Sequence, residues 1–186
     1  MGRGLIQFSV VIEKQNLNFI VLIEFIDSIN FYINNSIVID SIFKTSKIHS
    51  CSIFYPLDVM VGKSMEGNSQ NKEINEIEND DLILDIGPKT INKINNIIES
   101  SETILWNGPA GYFENPNFAN GSFEIAKKII EKNKNNSIFS VAGGGETIAV
   151  INKLNALGYF NFISTAGGAF LEYLEGKELP GIKALN

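Results

Sequence analysis

Short apolar runs that alternate with glycine-rich turns and helical patterns dominate the second half of this sequence. Three such runs are Thr103–Trp106, Ser137–Ala142 and Asn161–Ser164. Each is followed by a glycine-rich turn and then by apolar residues at the spacing of one helix face. Buried strands that alternate with amphipathic helices are typical of a parallel sheet with right-handed crossovers. The pattern therefore predicts an α/β fold in which helices flank a parallel sheet.

The segment before these runs continues the pattern less regularly. Ser52–Val61 predicts a strand that is interrupted by Pro56, because proline cannot donate to a sheet ladder. Residues 66–80 are polar and aperiodic, and they predict a loop. Asp81–Ile86 is again a short apolar run, and it predicts a further strand.

Helical spacing follows most of the predicted strands. The isoleucines within residues 91–98 recur on one face of a helix, and Thr90 is the N-cap expected for it. Glycine commonly ends a helix, so Gly176 is expected to end the short helix predicted for residues 169–174. The further predicted helices cover residues 118–133, 147–154 and 169–174.

The first 48 residues do not share this regularity. Apolar residues crowd residues 5–43, and in the run Phe19–Ile23 they fall on every face of any helix. Neither helical nor strand periodicity stands out, so two buried strands and one buried helix both stay open. We therefore describe residues 1–48 as an atypical apolar segment and expect it to pack irregularly against the sheet formed by residues 52–185.

Charge and composition argue against several functional classes. The 186 residues carry a formal net charge of −6, whereas a nucleic-acid binder needs a basic face. The apolar stretch Asn18–Ile33 contains Glu24 and Asp27, so no membrane span is expected. Cys51 is the only cysteine, which excludes an internal disulfide and favours a reducing, cytoplasmic setting. The single histidine, His49, is more simply a surface or packing residue than a catalyst.

The glycine-rich turns are the strongest functional signal from the residues themselves. Ligands of open parallel sheets bind outside the carboxyl ends of the strands, where these turns lie. One such turn is often only a tight turn, but three at one edge favour phosphate, because backbone N–H groups and helix N-termini bind anions. None matches the dinucleotide pattern G-x-G-x-x-G, and Gly62–Ser64 is not a P-loop, since Leu57 occupies the position of its first glycine. The turns are Asn107–Gly111, Gly143–Thr147 and Thr165–Gly168.

Two acidic residues stand close to these turns. Glu114 follows the first turn by three residues, and Glu146 lies within the second, at the start of a predicted helix. A glutamate at a helix start is often only a partner of the helix dipole. It is also a suitable Mg²⁺ ligand, because Mg²⁺ is commonly held by one carboxylate together with substrate phosphates. The residue pattern favours neither reading of Glu146 over the other.

Five ordered segments of the chain resemble phosphoglycerate kinases. Trp106–Glu114 (WNGPAGYFE) resembles the family motif WNGPxGxFE, and Ala142–Thr147 (AGGGET) resembles its GGGDT turn. Ile163–Glu172 (ISTAGGAFLE), followed by residues 174–181 (LEGKELPG), resembles the closing signature of the family. Two shorter segments match in the same order, and the resemblance covers residues 52–185. These two segments are Pro56–Val59 and Leu84–Thr90.

The resemblance implies two Rossmann-like lobes joined by a hinge, of which residues 52–185 would form an incomplete C-terminal, nucleotide-binding lobe. It implies phosphoryl transfer between 1,3-bisphosphoglycerate and ADP, which gives 3-phosphoglycerate and ATP in glycolysis, with Mg²⁺ accompanying the nucleotide. Glu114 would hold the ribose, Glu146 the Mg²⁺, and Gly167 and Gly168 would face the transferred phosphoryl group. The nucleotide-binding residues implied are Asn107, Pro109, Glu114, Gly144, Gly145, Glu146 and Thr147.

Three departures from the family limit what this resemblance implies. Glu146 stands where the family has aspartate, and a displacement of about 1 Å of a catalytic group can reduce a rate about a hundredfold. Residues 1–48 do not match the family segment expected there. Arg3 is the only arginine, so an arginine clamp for 3-phosphoglycerate cannot be built from this chain.

Two functional hypotheses follow from these departures. In the first, the chain is the nucleotide-binding part of a kinase that binds 3-phosphoglycerate only together with an N-terminal lobe. In the second, it is a non-catalytic relic, or a nucleotide-binding fragment, of the same family. Both predict a cytoplasmic protein with no nucleic-acid or membrane partner, monomeric as the family typically is, and inactive as a kinase when alone.

Overall fold

The computed structural model describes residues 9–13, 20–22, 40–41, 43–49, 51–174 and 176–185. Residues 40–41 and 43–48 are helical, and the remaining regular structure lies mostly beyond residue 51. The strands are β1 (Ser9–Glu13), β2 (Ile20–Leu22), β3 (Ser52–Phe54), β4 (Asp58–Gly62), β5 (Gln70–Glu73), β6 (Leu82–Ile86), β7 (Thr103–Asn107), β8 (Phe139–Gly143) and β9 (Phe162–Ser164). The helices are α1 (Pro88–Glu99), α2 (Asn120–Lys134), α3 (Gly145–Lys153), α4 (Gly168–Leu174) and α5 (Pro180–Lys183).

The larger sheet has the strand order β3-β2-β1-β7-β8-β9. Strands β7, β8 and β9 are parallel, and their register places Asn107 beside Gly143 and Gly143 beside Ser164. The carboxyl ends of these three strands therefore lie side by side at one edge of the sheet. This confirms the predicted α/β fold with a parallel sheet flanked by helices.

The described part of the N-terminal segment joins the same sheet. Strand β1 pairs antiparallel with β7 over five residues, and β2 pairs antiparallel with β1. Strand β2 in turn pairs in parallel with β3. The expectation of irregular packing is therefore wrong for residues 9–13 and 20–22, and the sheet is mixed. Val10–Ile12 and Ile20–Leu22 are continuous apolar runs without alternation, so a period of two did not identify them as strands.

A second sheet, with the order β5-β4-β6, is entirely antiparallel. The predicted strand Ser52–Val61 is therefore two strands, and its halves belong to different sheets. The predicted loop of residues 66–80 contains β5, whose sequence is Gln-Asn-Lys-Glu. This strand escaped prediction because its one buried residue is Lys72, which pairs with the buried Asp81 at 2.8 Å instead of packing as an apolar side chain.

Helix α1 begins three residues earlier than predicted. Gly87 is the N-cap and Pro88 the first helical residue, so Thr90 lies inside the helix and its prediction as the N-cap is wrong. The cap comes instead from Asp58 on β4, whose carboxylate accepts the backbone N–H of Lys89 at 3.1 Å and of Thr90 at 2.9 Å. A capping group 31 residues away in sequence leaves no local signal.

The core lies between the parallel strands and helices α1, α2 and α3. Trp106 is fully buried on β7, and its ring stacks on Phe160 with 6.3 Å between centroids. The isoleucines of α1 predicted to share one face are buried. Among the described residues, no helix has both the length and the apolar character needed to cross a bilayer.

Candidate functional site

The three glycine-rich turns meet in one cleft at the carboxyl edge of β7, β8 and β9. The cleft has a volume of about 290 Å³, and residues from all three turns line it. The predicted convergence of the turns is therefore confirmed. The lining residues are Asn107, Gly108, Gly144, Gly145, Glu146, Thr147, Gly167, Gly168 and Leu171.

The first turn is fixed to the second by side chains as well as by the sheet. The N–H of Gly108 donates to Oγ1 of Thr147 at 2.6 Å, and Thr147 is fully buried at the start of α3. The Asn107 side chain faces the second turn closely, since a Cβ built on Gly144 would lie 3.2 Å from Asn107 Oδ1. Side chains from two strands thus set the distance between the two turns.

The second turn delivers the N-terminus of α3 to the cleft. Gly144, the N-cap of this helix, has a φ of +86°, a conformation that glycine adopts without strain. No side chain of this N-cap accepts a hydrogen bond from the first turn of the helix. A Cβ built on Gly145 would meet no protein atom within 4 Å, and Gly145, Glu146 and Thr147 all line the cleft. The N–H groups of this first turn, which have no partner within the helix, therefore border open space.

The third turn has the same character. Gly167 has a φ of +53°, and Gly168 begins α4. A Cβ built on either glycine would meet no protein atom within 4 Å. Leu171, one turn into α4, supplies an apolar wall to the cleft.

The electrostatics of the cleft depend on backbone groups. Among the residues that line it, Glu146 is the only charged one, and its side chain is exposed. No lysine or arginine stands in this lining to neutralise an anion. Attraction for an anion therefore has to come from the N–H groups and dipoles at the helix starts, and from any cation held by Glu146.

The segment Asn107–Glu114, which continues the first turn, is called the nucleotide loop below, after the role that the family resemblance implies for it. Its far end contacts α3, because Lys153 Nζ donates to the carbonyl oxygen of Phe113 at 3.2 Å and lies 4.8 Å from the centroid of its ring. Glu114 itself is exposed. Helix α3 thus contacts the loop at both ends, through Thr147 at the start of the helix and Lys153 at its end.

The structure brings seven of the nine predicted site residues to the cleft. Pro109 is buried and Glu114 lies further along the nucleotide loop, so neither lines the cleft. Gly108 and Leu171 line it without having been singled out as site residues. Gly108 belongs to a turn already recognised, whereas Leu171 follows Gly168 by three residues and would be found only from its helical position.

Comparison with known proteins relates the chain to one enzyme family. The sequence profile of the family "PGK: Phosphoglycerate kinase" matches residues 25–177. Phosphoglycerate kinase from Azorhizobium caulinodans is 41% identical over 146 residues, which cover 77% of this chain and 37% of that protein. The enzyme from Orientia tsutsugamushi is 46% identical over 147 residues, covering 77% of this chain and 36% of that protein.

Solved structures agree with the sequence comparisons. The structure of phosphoglycerate kinase from Coxiella burnetii superposes with a TM-score of 0.73 and 32% identity, covering 83% of this chain and 38% of that one. The chain thus spans little more than a third of the length of the relatives it matches. The profile match begins at residue 25, so it includes residues 25–48, which the sequence motifs had left outside the resemblance. Since the profile covers most of the sequence, the chain belongs to the phosphoglycerate kinase family.

Proposed function

We propose that this chain provides the nucleotide-binding half of phosphoglycerate kinase chemistry. The reaction would be phosphoryl transfer between 1,3-bisphosphoglycerate and ADP, giving 3-phosphoglycerate and ATP. The observation that carries the proposal is the meeting of three glycine-rich turns in one cleft bordered by the start of α3. Phosphoryl transfer depends mainly on positioning and on neutralising charge, and backbone N–H groups suit both tasks.

In this proposal the residues of the cleft take separate parts of the nucleotide. Gly144, Gly145 and Thr147 belong to the turn that would receive the phosphates, and Gly167 and Gly168 would face the phosphoryl group in transfer. Asn107 and Pro109 would border the nucleoside, and Glu114 would bind the ribose hydroxyls. Pro109 and Glu114 lie away from the lining of the cleft, which is consistent with contact to the nucleoside end instead of the phosphates.

The residues present also fit a Mg²⁺ ion that arrives with the nucleotide. A phosphate chain in this cleft would meet the Glu146 carboxylate, and no cationic side chain lines the cleft to separate the two negative charges. Mg²⁺ favours this donor set of one carboxylate, phosphate oxygens and water. When bound, the ion would neutralise charge on the phosphates, while the protein's own groups position them.

The phosphoglycerate side of the reaction needs cationic side chains that the cleft lining does not offer. Bidentate arginine is the usual partner of phosphate and carboxylate, and Arg3 is the only arginine in these 186 residues. Because most of the length of each matched relative lies outside the match, we assign 3-phosphoglycerate binding to residues beyond this cleft. Closure between the two parts would exclude water from the transfer. We also propose that the protein is cytoplasmic and monomeric.

Titration with Mg-ADP by calorimetry tests the nucleotide site. We expect weak binding that disappears when Mg²⁺ is chelated and that falls about tenfold in Glu146→Ala. The matched control is Glu102→Ala, since this exposed glutamate lies next to the opposite end of β7. Submicromolar binding that is unchanged by Glu146→Ala would refute the assignment.

A second candidate function is nucleotide binding without turnover. It is favoured by the lone acidic residue of the cleft being a glutamate, since its longer side chain would displace the Mg²⁺ relative to the aspartate of the family. A coupled assay with 3-phosphoglycerate and Mg-ATP separates the two functions. Turnover only after addition of a separately expressed N-terminal segment of a family member supports the kinase function. Nucleotide binding without turnover in either assay supports the second candidate, and turnover by the chain alone contradicts the division of labour proposed here.

A further inference from the structure

A carboxylate is buried directly behind the nucleotide loop, and among the described residues it has no cationic partner. Asp85, on β6, is fully buried. Its Oδ1 accepts the N–H of Ile86 at 2.8 Å, and its Oδ2 accepts the N–H of Gly121 at 2.8 Å. Burial raises the pKa of Asp85 to about 7, against the opposing effect of these two N–H donors. A buried charge without an ion-pair partner is costly, so its presence calls for a role that a neutral side chain would not fill.

The backbone around Asp85 is shaped to admit this carboxylate. A Cβ built on Gly111, in the nucleotide loop, would lie 2.4 Å from Asp85 Oδ1. A Cβ built on Gly121, in the first turn of α2, would lie 2.3 Å from the same oxygen. Both positions therefore require glycine because the carboxylate approaches the backbone closely. Asp85 thus touches the loop and the helix at the same time.

The nucleotide loop is fixed to the same two elements by neighbouring hydrogen bonds. The N–H of Tyr112 donates to the carbonyl oxygen of Leu84 on β6 at 2.7 Å. The N–H of Ala110 donates to Oγ of Ser122 on α2 at 2.9 Å. Ser122 follows Gly121, whose own N–H is held by Asp85. A shift of Asp85 or of the first turn of α2 would therefore be transmitted to the residues between Asn107 and Glu114.

We propose that Asp85 is a positioning residue for the nucleotide loop, which it fixes by holding Gly121 and packing against Gly111. The proposal rests on the nucleotide-binding function proposed above and adds to it a residue that does not line the cleft. The ionised carboxylate is required, because each of its two oxygens accepts a backbone N–H. An asparagine would accept at one oxygen only, and its amide nitrogen would face the other N–H donor.

The effect of Asp85 ionisation on nucleotide binding can be measured separately from that of other charged groups. In the described part of the chain, no charged side chain forms an ion pair or hydrogen bond with its carboxylate. The pH dependence that comes from ADP itself, and from charged groups that no variant replaces, is common to wild type and both variants, so comparing the three proteins removes it. The charged residues on the elements packed against Asp85 are Asp58 on β4, Glu114 in the nucleotide loop, and Glu124, Lys127, Lys128, Glu131, Lys132 and Lys134 on α2.

The test compares Asp85→Asn with Asp58→Asn. Asp58 is an equally buried carboxylate on the adjacent strand, and it caps α1 instead of α2. Mg-ADP affinity is measured between pH 6 and 8 by calorimetry and by the emission of Trp106, the only tryptophan, which directly precedes Asn107. We expect Asp85→Asn to bind about tenfold more weakly than wild type at pH 8, as small displacements of binding groups have large effects. Wild-type affinity should approach that of Asp85→Asn at pH 6, whereas Asp58→Asn should follow the wild-type profile.

Hydrogen exchange without nucleotide provides an independent readout. Asp85→Asn should accelerate exchange at the amides of Gly121, Ala110 and Tyr112, and Asp58→Asn should accelerate it at Lys89 and Thr90 instead. Equal weakening of Mg-ADP by both variants, or wild-type affinity in Asp85→Asn, overturns the positioning role and leaves the nucleotide site standing. If wild type itself does not bind Mg-ADP, the proposed function fails. In that case, unchanged exchange at Ala110 and Tyr112 in Asp85→Asn overturns the positioning role as well.

Discussion

Polar groups are left unpaired and accessible at the cleft, whereas polar groups at the small antiparallel sheet are buried and paired within the protein. At the cleft, the N–H groups at the start of α3 border open space and Glu146 is exposed. In the small sheet, Asp81 is nearly inaccessible, with a side-chain exposure of 1%, and it is paired with Lys72 at 2.8 Å and Lys63 at 2.9 Å. Polar groups left available at one edge suit a ligand, whereas polar groups satisfied internally contribute to the fold. This contrast separates residues expected to affect binding from residues expected to affect stability.

Two buried aspartates at the small sheet, Asp81 and Asp85, have pKa values that are shifted in opposite directions. For Asp81, burial acts to raise the pKa, but hydrogen bonds from Lys72, the backbone of Glu78 and Lys63 outweigh it and lower the pKa to about 2. For Asp85, burial dominates and the pKa is about 7. Ionisation of Asp81 therefore stabilises the fold, and ionisation of Asp85 opposes folding. The predictions below test this division, from the largest expected effect to the smallest.

Replacing Asp81 with alanine should lower the free energy of unfolding by about 3 kcal/mol, because it leaves the buried Lys72 without its best partner. Mg-ADP affinity should not change in the protein that remains folded. Urea unfolding and calorimetry measure the two quantities. Asp80→Ala is the matched control, since Asp80 contacts the same Lys63 but is 75% exposed. A stability loss no greater in Asp81→Ala than in this control would contradict the distinction.

Replacing Gly145 with valine should weaken Mg-ADP binding and leave stability unchanged, the opposite of the result expected for Asp81→Ala. The new side chain would extend into the cleft, where it meets no protein atom, so stability should hold while Mg-ADP affinity falls about a hundredfold. Gly158→Val is the control, because that glycine also has open space around it and lies away from the cleft lining. Calorimetry and thermal unfolding of both variants decide the point. Binding that survives in Gly145→Val would remove the start of α3 from the phosphate site.

Lowering the pH from 8 to 6 should stabilise the wild-type protein by about 1 kcal/mol relative to Asp85→Asn. The native pKa of Asp85 lies above its unfolded value, so its contribution to stability is fully present below about pH 4 and is lost as the pH rises through about 7. Denaturant unfolding at several pH values measures this difference. Identical pH profiles for the two proteins would show that Asp85 does not titrate in this range. If Mg-ADP also binds more tightly at pH 8, ionisation of Asp85 lowers the free energy of unfolding while it holds the nucleotide loop in its binding position.

Replacing Lys153 with methionine should weaken ADP binding about threefold, because the ammonium group no longer holds Phe113 beside Glu114. Pyrophosphate binding should not change, since the turn Gly143–Thr147, which is proposed to receive the phosphates, is intact. Lys153→Arg should retain ADP affinity, and Lys127→Met on the exposed side of α2 serves as the control. Equal weakening of ADP and pyrophosphate in Lys153→Met would show a general effect on α3 rather than one on the nucleoside end.

Much of the parallel part of the fold could be predicted from local pattern. Strands β7, β8 and β9 were predicted to within two residues of their ends, because each is apolar and ends at a glycine-rich turn. Helix α2 was predicted with similar accuracy, from its amphipathic face. The small sheet was not predicted, since β5 presents Lys72 where an apolar residue would mark a strand. Nor does the period of residues 9–13 distinguish a central strand from a buried helix.

The site divides in the same way between sequence and structure. The sequence alone determined the three glycine-rich turns, because the absence of a side chain in Gly144, Gly145, Gly167 and Gly168 is a local property that needs no partner. It also determined that Glu146 stands among them. Only the tertiary structure decided that Asp85 lies behind the nucleotide loop and that Asp58 caps α1, since both carboxylates act on backbone groups more than 30 residues away. Such contacts depend on how the strands are ordered, which the long-range packing of the core sets and no local pattern records.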